Sequence, residues 1–481
     1  LNVAGVIHLG DVVDDNNDDA QYVGARDAFY RLPDAGIKFL IQMGNHDGWS
    51  SGIHNYYNSF SGKSTAWTRR TGWYLTQSPN GDGNSSYMFL RAGSYNYLVI
   101  SLSCTGSGSG ANNNTGWDSA DEAWLRSVLE EYPNCPTIVT THDLQNCSDT
   151  QPSAIKLSSR GTQLWNIVKD YDQVFMLVGG HSHGSGVEEL TNTSGKQVIS
   201  ILTDLQFSYN GGNGWFRYLE FDESADKIYY SLYSPYAASL DESEKSFFDV
   251  NFLTGPGNQG EISIDFDQRF AGMAREEQET QTEGKWMTGE YHTHTGQSKD
   301  ATSAFMSLTN VLAAAFRNDE VLQDEANSAA RFDNIRYGDA FDFLGLADHL
   351  RQSYNGVDGQ GTGQYNTAFY VAVQTQIREL EKLQVKGEYT DKLLNTGFEW
   401  DMPGLDHASV GVLDENGEAS VSGIHAFEWL YASQGSGDDP TSLFTLDEKS
   451  DDMDEQAVYG DRQHDGQAET AYDAVAWLEE N

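Results

Sequence analysis

Eight of the chain's twelve histidines fall in short motifs at the ends of predicted strands. Histidines serving as core filler or surface residues would not collect there, because the carboxyl ends of strands are where α/β folds place their sites. Four such motifs occur in the first half. "VIHLGDVVD" (6–14) sets Asp11 directly after a strand, and "GNHD" (44–47) does the same for Asn45, His46 and Asp47. His142 ends "TIVTTHD", and "GHSHG" (180–184) supplies His181 and His183 after "VFMLVG". Carboxylate, amide oxygen and imidazole are the donors a hard or borderline divalent ion takes. Two such ions about 3.5–4 Å apart can clamp a phosphate and activate a water for in-line attack. A second set follows: "YHTHTGQS" (291–298), "FLGLADH" ending in Asp348 and His349, and "GFEWDMPGLDH" (397–407) with Glu399 and His407. His292 and His294 are two apart, so on a strand both point to one side and can chelate one ion. A carboxylate such as Glu399 can bridge two ions.

The elements that must hold these residues alternate. Strand-like runs at 3–9, 38–43, 97–102, 137–141, 174–178 and 197–202 are separated by helical stretches at 21–32, 119–132 and 161–169. That alternation predicts an α/β layered domain. Aromatic and β-branched alternation over 215–267 predicts strands that close it. The polar run 271–284 has no apolar period and reads as a linker, giving domains at 1–268 and 286–481 with a connection at 269–285. In the second domain, strands are expected at 285–290, 343–346 and 410–412, helices at 304–316, 367–383 and 468–480, and an Asp-rich loop at 435–466.

The ordered set GD-x-x-D, GNHD, isolated His and GH-x-H resembles the calcineurin-like metallophosphoesterases, over roughly residues 1–268. "NSSYMFL" (84–90) and "NGGNGWFRYLEF" followed by "YSP" (210–235) look like secreted members of that family. The resemblance implies a four-layer α/β/β/α sandwich with a dinuclear centre of Mn, Fe or Zn, Ca being the alternative outside the cell. It makes Asp11 the bridging ligand, gives Asn45, His142 and His181 to one ion, and gives His183 to the other. His46 would be the general acid or transition-state donor, Asp47 would orient it, and Asp14 would stand behind the ligands. The family's Asp-x-His before GD-x-x-D has no counterpart here, which reads as an incomplete N-terminus, true ligand loss being the alternative. Taken alone, His142 would read as a buried structural histidine; its place in the ordered set makes it a ligand instead. The acidic run 14–19 reads as a solvated loop or, alternatively, a calcium loop, and His8 and His54 read as structural.

The order H-x-H, then Asp-His after an apolar strand, then Glu followed by His, resembles the PHP (polymerase and histidinol phosphatase) superfamily over about 286–481. It implies a distorted β/α barrel, here cut short, with up to three metals on His292, His294, His349, Glu399 and His407. Asp348 would support them. Lys299 stands where members usually carry Asp, with Asp300 next door, and the later His and Asp-x-His motifs are missing apart from a degenerate His464. Trp286, Trp400 and Trp429 are expected in the core.

Composition narrows the function. With 29 basic and 72 acidic residues the formal charge is 29 − 72 = −43, which repels polyanions and excludes nucleic-acid binding through a basic face. Such a surface suits a saline exterior. No apolar stretch approaches the roughly 20 residues of a membrane span, and no signal peptide opens the chain, so one is expected upstream. Three cysteines are too few for a framework. A Cys104–Cys147 bridge is favoured because both follow strand-like segments, against three free thiols. The expected function is an extracellular metal-dependent phosphoesterase acting on phosphomonoesters or phosphodiesters through a metal-bound hydroxide, with a second PHP-type site. The alternative is a non-catalytic extracellular structural or adhesive protein on the same folds. Substrate, metal identity and oligomeric state are not written in the sequence.

Overall fold

The computed structural model describes residues 3–47, 53–60, 75–76, 85–103, 119–148, 151–275, 287–298, 306–316, 341–350, 353–354, 356–357, 365–366, 370–401, 407–413, 419–431 and 474–478. The chain divides into two compact units, Leu1–Arg275 and Glu276–Asn481.

In the first unit, β1 (Val6–His8) and β2 (Phe39–Ile41) pair in parallel with each other. Helix α1 (Asp19–Phe29) begins at Asp18, whose carboxylate accepts the Ala20 N–H, and α2 (Arg31–Asp34) follows. Such a cap satisfies one of the four orphan donors at a helix start. Helix α3 (Ile53–Phe60) packs with α1 on β1 and β2, burying Tyr22, Tyr56 and Phe60 against Phe39 and Ile41. Leu40 faces the opposite way, into the main core, as the period of two in a strand requires.

The main sheet has seven strands. They are β3 (Leu75–Thr76), β4 (Ser86–Ala92), β5 (Tyr95–Leu102), β6 (Thr137–Thr141), β9 (Val174–Gly179), β10 (Gly184–Thr191) and β11 (Gln197–Asp204), in the order β10-β11-β9-β6-β5-β4-β3. β5, β6, β9 and β11 run parallel, so their carboxyl ends share one edge. The hairpin β7 (Gln145–Ser148) and β8 (Gln151–Leu157) is a separate ladder, with Pro152 and Ile155 of β8 against Gly184 and Gly186 of β10. On one face of the sheet, Tyr87 and Phe89 meet Trp124 and Tyr132 of the α4 region (α4, Ser119–Glu131). The other face, with Met88, Val99, Phe175 and Ile199, packs on Ile228 and Ile262 of a second, four-stranded sheet and on Phe266 of the short helix that follows it. That sheet comprises β12 (Phe216–Asp222), β13 (Lys227–Tyr233), β14 (Phe252–Leu253) and β15 (Gly260–Ser263). Burying each large apolar side chain here contributes about 1.5–3 kcal/mol.

The unit is therefore a mixed α/β structure of several sheets, helix on sheet on sheet, with its further helices α1 and α3 on the β1–β2 pair. The expected linker is partly structure: Phe270 is in the core, Met273 packs against it, and Ala274 bridges to Tyr95, so the unit runs to Arg275 rather than 268.

The second unit contains three parallel strands in sequence order, β16 (Gly289–Thr293), β17 (Phe343–Leu346) and β20 (Leu393–Thr396). Two short hairpins accompany them: β18 (Ser353–Tyr354) with β19 (Tyr365–Asn366), and β21 (Phe398–Asp401) with β22 (His407–Val410). Helix Leu308–Phe316 buries Leu308, Leu312 and Phe316 on Leu344 and Leu346, and Leu380 of helix Tyr370–Val385 joins them. Helix Val421–Tyr431 packs Ile424 and Phe427 on Phe398 and Trp400. The expected core role of Trp400 holds, its Nε1 donating to the Tyr431 carbonyl at 3.1 Å. Among the described residues the sheet is open, so a closed barrel is not seen. The strand expected at 410–412 lies earlier, at His407–Val410, because it pairs with Phe398–Asp401. Trp286, Lys299, Asp300, the 435–466 tail and His464 lie outside the described residues, as do the Trp429 and His54 side chains.

Candidate metal centres

Asp11 and Asn45 follow β1 and β2, and His142 and His181 follow β6 and β9. The structure brings all four together. His142 Nε2 lies 3.0 Å from Asp11 Oδ2, 2.9 Å from Asn45 Oδ1 and 3.1 Å from His181 Nδ1. Its other nitrogen, Nδ1, lies 2.7 Å from the Leu9 carbonyl, which can only accept, so Nδ1 carries the proton. In the neutral ring Nε2 is then a lone pair facing a carboxylate oxygen, an amide oxygen and another imidazole nitrogen. A convergence of lone pairs in a buried place is electrostatically costly without a cation among them. Carboxylate, amide oxygen and two imidazoles form a donor set suited to a borderline divalent ion. Asp11, His142 and His181 meet the geometric requirement for a common ion.

The backbone is bent to make this happen. Asp11 and His181 adopt φ of 52° and 66°, a left-handed conformation costing roughly 1–3 kcal/mol in a residue with a side chain. Gly10, at φ 93°, has His142 Nδ1 only 2.7 Å from where a Cβ would sit. At Gly44 a Cβ would run into the backbone nitrogen and Oδ1 of Asp11. The glycines of GD and GN thus let two ligand loops touch.

Asp47 joins those loops. It is fully buried, and its oxygens accept the N–H groups of Val12 (3.0 Å), Val13 (3.2 Å) and Gly44 (2.9 Å). Burial pushes its carboxyl up to about 7, against the pull of the Gly44 N–H. The expected role of Asp47, orienting His46, is corrected by this: its oxygens serve the backbone. The His46 ring instead meets the Asp14 carbonyl at 2.8 Å and carboxylate at 3.4 Å, and its backbone N–H donates to Asp11 Oδ1 at 2.8 Å. Burial opposes the charge on Asp11, but the His142 hydrogen bond outweighs it and lowers the pKa. His142 moves the other way, raised by Asp11 in spite of burial. His8 keeps its structural reading: its ring packs edge-on to Phe29, and burial first, then His142, lowers its pKa to about 4.

His183 is not in this group. It is exposed and its ring lies against Phe207, with centroids 4.0 Å apart. The expected Cys104–Cys147 bridge is corrected as well. Cys147 is a free thiol, with Sγ 3.4 Å from the His183 carbonyl and 3.6 Å from Ser182 Oγ; Cys104 lies outside the described residues.

The second unit also assembles its set. Glu399, 3% exposed, sits beneath four imidazoles. Its Oε2 lies 2.8 Å from His294 Nε2, 3.1 Å from His349 Nδ1 and 3.6 Å from His292 Nε2, and its Oε1 pairs with His407 Nδ1. His292 and His294 present Nε2 atoms 3.1 Å apart. Two triads that could each hold an ion share Glu399: one with His292 and His294, the other with His349 and His407. A buried carboxylate between facing imidazole nitrogens fits a cation as the first set does.

The supports repeat too. Asp348 is fully buried and accepts the Thr295 N–H and Oγ1–H, both at 2.7 Å, and the Gln376 amide. Burial, opposed by Thr295, raises it to about 6. The loop after β17 is tied to the strand carrying Glu399 by Glu399 N–H to Asp348 O and Leu350 N–H to Glu399 O, each 2.9 Å. Ser409 Oγ, 2.6 Å from His292 Nδ1, went unnoticed in the sequence. Its one signal is the strand pairing that sets Ser409 opposite Glu399.

Comparison with known proteins bears on the first unit. Residues 1–185 match the family model for calcineurin-like phosphoesterases, so a calcineurin-like phosphoesterase domain occupies that stretch; the match does not reach the second unit. The uncharacterized protein YvnB of Bacillus subtilis (strain 168) is 28% identical over 277 residues, which is 56% of this chain and 19% of that protein. The chain therefore spans less than a fifth of that relative's length. A dimetal phosphatase from Danio rerio is similar at 15% identity and a TM-score of 0.33, covering 48% of this chain and 81% of its own.

Proposed function

We propose that the first unit hydrolyses phosphate esters with divalent metal held by Asp11, Asn45, His142 and His181. The observation that carries this is the position of His142 Nε2, with Asp11 Oδ2, Asn45 Oδ1 and His181 Nδ1 all within 3.1 Å and its own Nδ1 proton committed to Leu9. A bound divalent ion supplies Lewis acidity toward a phosphoryl oxygen and lowers the pKa of water. The protein's share is to hold the donors and to place a proton donor at the opening. His46, whose ring is 33% exposed beside Asp11, is that donor, and Asp14 fixes its tautomer. Positive metal charge offsets the −43 field locally, so an anionic substrate is admitted.

We take the His292, His294, His349, Glu399 and His407 cluster to be a second metal centre of PHP type, able to complete phosphate release from a diester. The shared buried Glu399 and the four surrounding imidazoles support that reading. An extracellular site of action is part of the proposal, supported by the acidic surface and by the resemblance to secreted phosphoesterases.

The test is hydrolysis of p-nitrophenyl phosphate and its bis-ester by metal-loaded protein. His142→Ala should abolish hydrolysis of the diester. Combined His349→Ala and Glu399→Ala should leave the first cleavage and stop release of inorganic phosphate. Wild-type protein inert on both esters with every divalent metal tried would sink the reading and favour the structural alternative.

A further inference from the structure

We propose that Gln42 is a positioning residue that sets the register between the two halves of the first metal site; this rests on the metal-binding reading of the first unit. The site is assembled from two pieces. Asp11 and Asn45 follow β1 and β2, which among the described residues pair only with each other, while His142 and His181 follow strands of the seven-stranded sheet. No strand ladder joins the pieces, so side chains must fix how far one lies along the other.

Alternation along the strands picks out those side chains. Leu40, Val99 and Ile138, on β2, β5 and β6, belong to one apolar core. Two residues further along each segment, the same face carries Gln42, Ser101 and Thr140. All three are fully buried. Ser101 and Thr140 are register partners. Gln42 Oε1 accepts from both hydroxyls, Ser101 Oγ at 3.1 Å and Thr140 Oγ1 at 3.3 Å. The core therefore turns polar at the end nearest the ligands, Gln42 standing three residues before Asn45 and Thr140 two before His142.

Stability alone does not ask for an amide here. Gln42 Nε2 has no partner among the described residues, and an orphaned buried donor costs about 1–3 kcal/mol. An apolar side chain of similar size, facing valine and alanine in place of the two hydroxyls, fills the space without that cost. Apolar contact is non-directional and lets two layers slide, whereas a hydrogen bond weakens steeply as its distance and angle depart from ideal. The amide thus gives up stability for a fixed register. It matters most at this end, where the facing lone pairs of Asp11, Asn45, His142 and His181 push the pieces apart until a cation lies among them.

The experiment uses the full chain carrying Glu399→Ala, which removes the carboxylate shared by the second cluster. This parent is compared with a triple variant that adds Gln42→Met, Ser101→Ala and Thr140→Val, removing the amide and both its partners. Competition with a chelator should show zinc bound about tenfold more weakly in the triple variant, while metal-free protein melts at the same temperature or higher. Thr140→Ser, which keeps the hydroxyl, should bind zinc as the parent does. Unchanged affinity in the triple variant, weakened affinity in Thr140→Ser, or a triple variant that melts earlier or fails to fold each overturns the role. If the parent binds no zinc, the metal reading of the first unit fails, and Gln42 is judged by solvent exchange of the His142 Nδ1 proton in metal-free protein. That proton's bond to the Leu9 carbonyl spans the two pieces at 2.7 Å. Nitrogen NMR should show faster exchange in the triple variant, and equal rates overturn the role there too.

Discussion

His142 gives its Nδ1 proton to the carbonyl of Leu9 at 2.7 Å, and that bond decides which lone pair the first site presents. The acceptor belongs to the loop that carries Asp11, so the ring is oriented by the same segment that supplies its fellow ligand. Second partners of this kind fix the tautomer of metal-binding histidines in general.

Gly44 is a sharp test of how closely the ligand loops approach. Gly44→Ala would drive a methyl into Asp11 and displace the carboxylate from His142. The expected cost is about 1–3 kcal/mol of stability together with loss of bound metal. Thermal unfolding and metal analysis on the same sample would show both, and an alanine variant with full metal content contradicts the geometry.

Asp47 and Asp348 are expected to behave as positioning residues. Asp47→Ala releases the Val12, Val13 and Gly44 N–H groups, and Asp348→Ala releases Thr295. Each should weaken metal binding in its own unit about 10–100-fold although neither carboxylate is in a ligand cluster. Competition with a chromogenic chelator measures this. The asparagine variants, which keep one accepting oxygen, should fall between wild type and alanine.

This pair also marks what a sequence discloses. Asp11, Asn45, His142 and His181 were legible because each follows an apolar strand, and parallel strands deliver their ends to one edge. The role of Asp47 was not, because its partners are backbone N–H groups, which leave no trace in residue type. His183, expected on the other ion, lies outside the Asp11, His142 and His181 group, and its ring rests on Phe207. The end of the first unit was hidden because a polar run can still bury Phe270 and pack Met273.

Acid should destabilise the first unit through His8. Its folded pKa is depressed to about 4 from an ordinary 6.5, chiefly by burial, so the folded state favours the neutral ring. Between those values the unfolded chain binds the proton and the folded one does not, so stability falls as pH falls from 6.5 toward 4. The full shift corresponds to at most about 3 kcal/mol, and to less because the ring is only half-buried. Denaturant melts of metal-free protein across this window should show the slope, reduced in His8→Gln. An unchanged slope in that variant would count against His8 as the source.

Ser409 is expected to hold His292 in place. Ser409→Ala removes the hydroxyl 2.6 Å from His292 Nδ1, and metal affinity in the second unit should fall about tenfold. Threonine at this position should restore it, while loss in both variants would mean the packing rather than the hydroxyl matters.

The most direct measurement is metal content per chain, by elemental mass spectrometry of exhaustively dialysed protein, on wild type, His142→Ala and Glu399→Ala. The account predicts at least two transition ions in the wild type, loss of the first unit's metal alone in His142→Ala, and loss of the second unit's alone in Glu399→Ala. A wild type without bound metal, or a content that neither substitution changes, contradicts it.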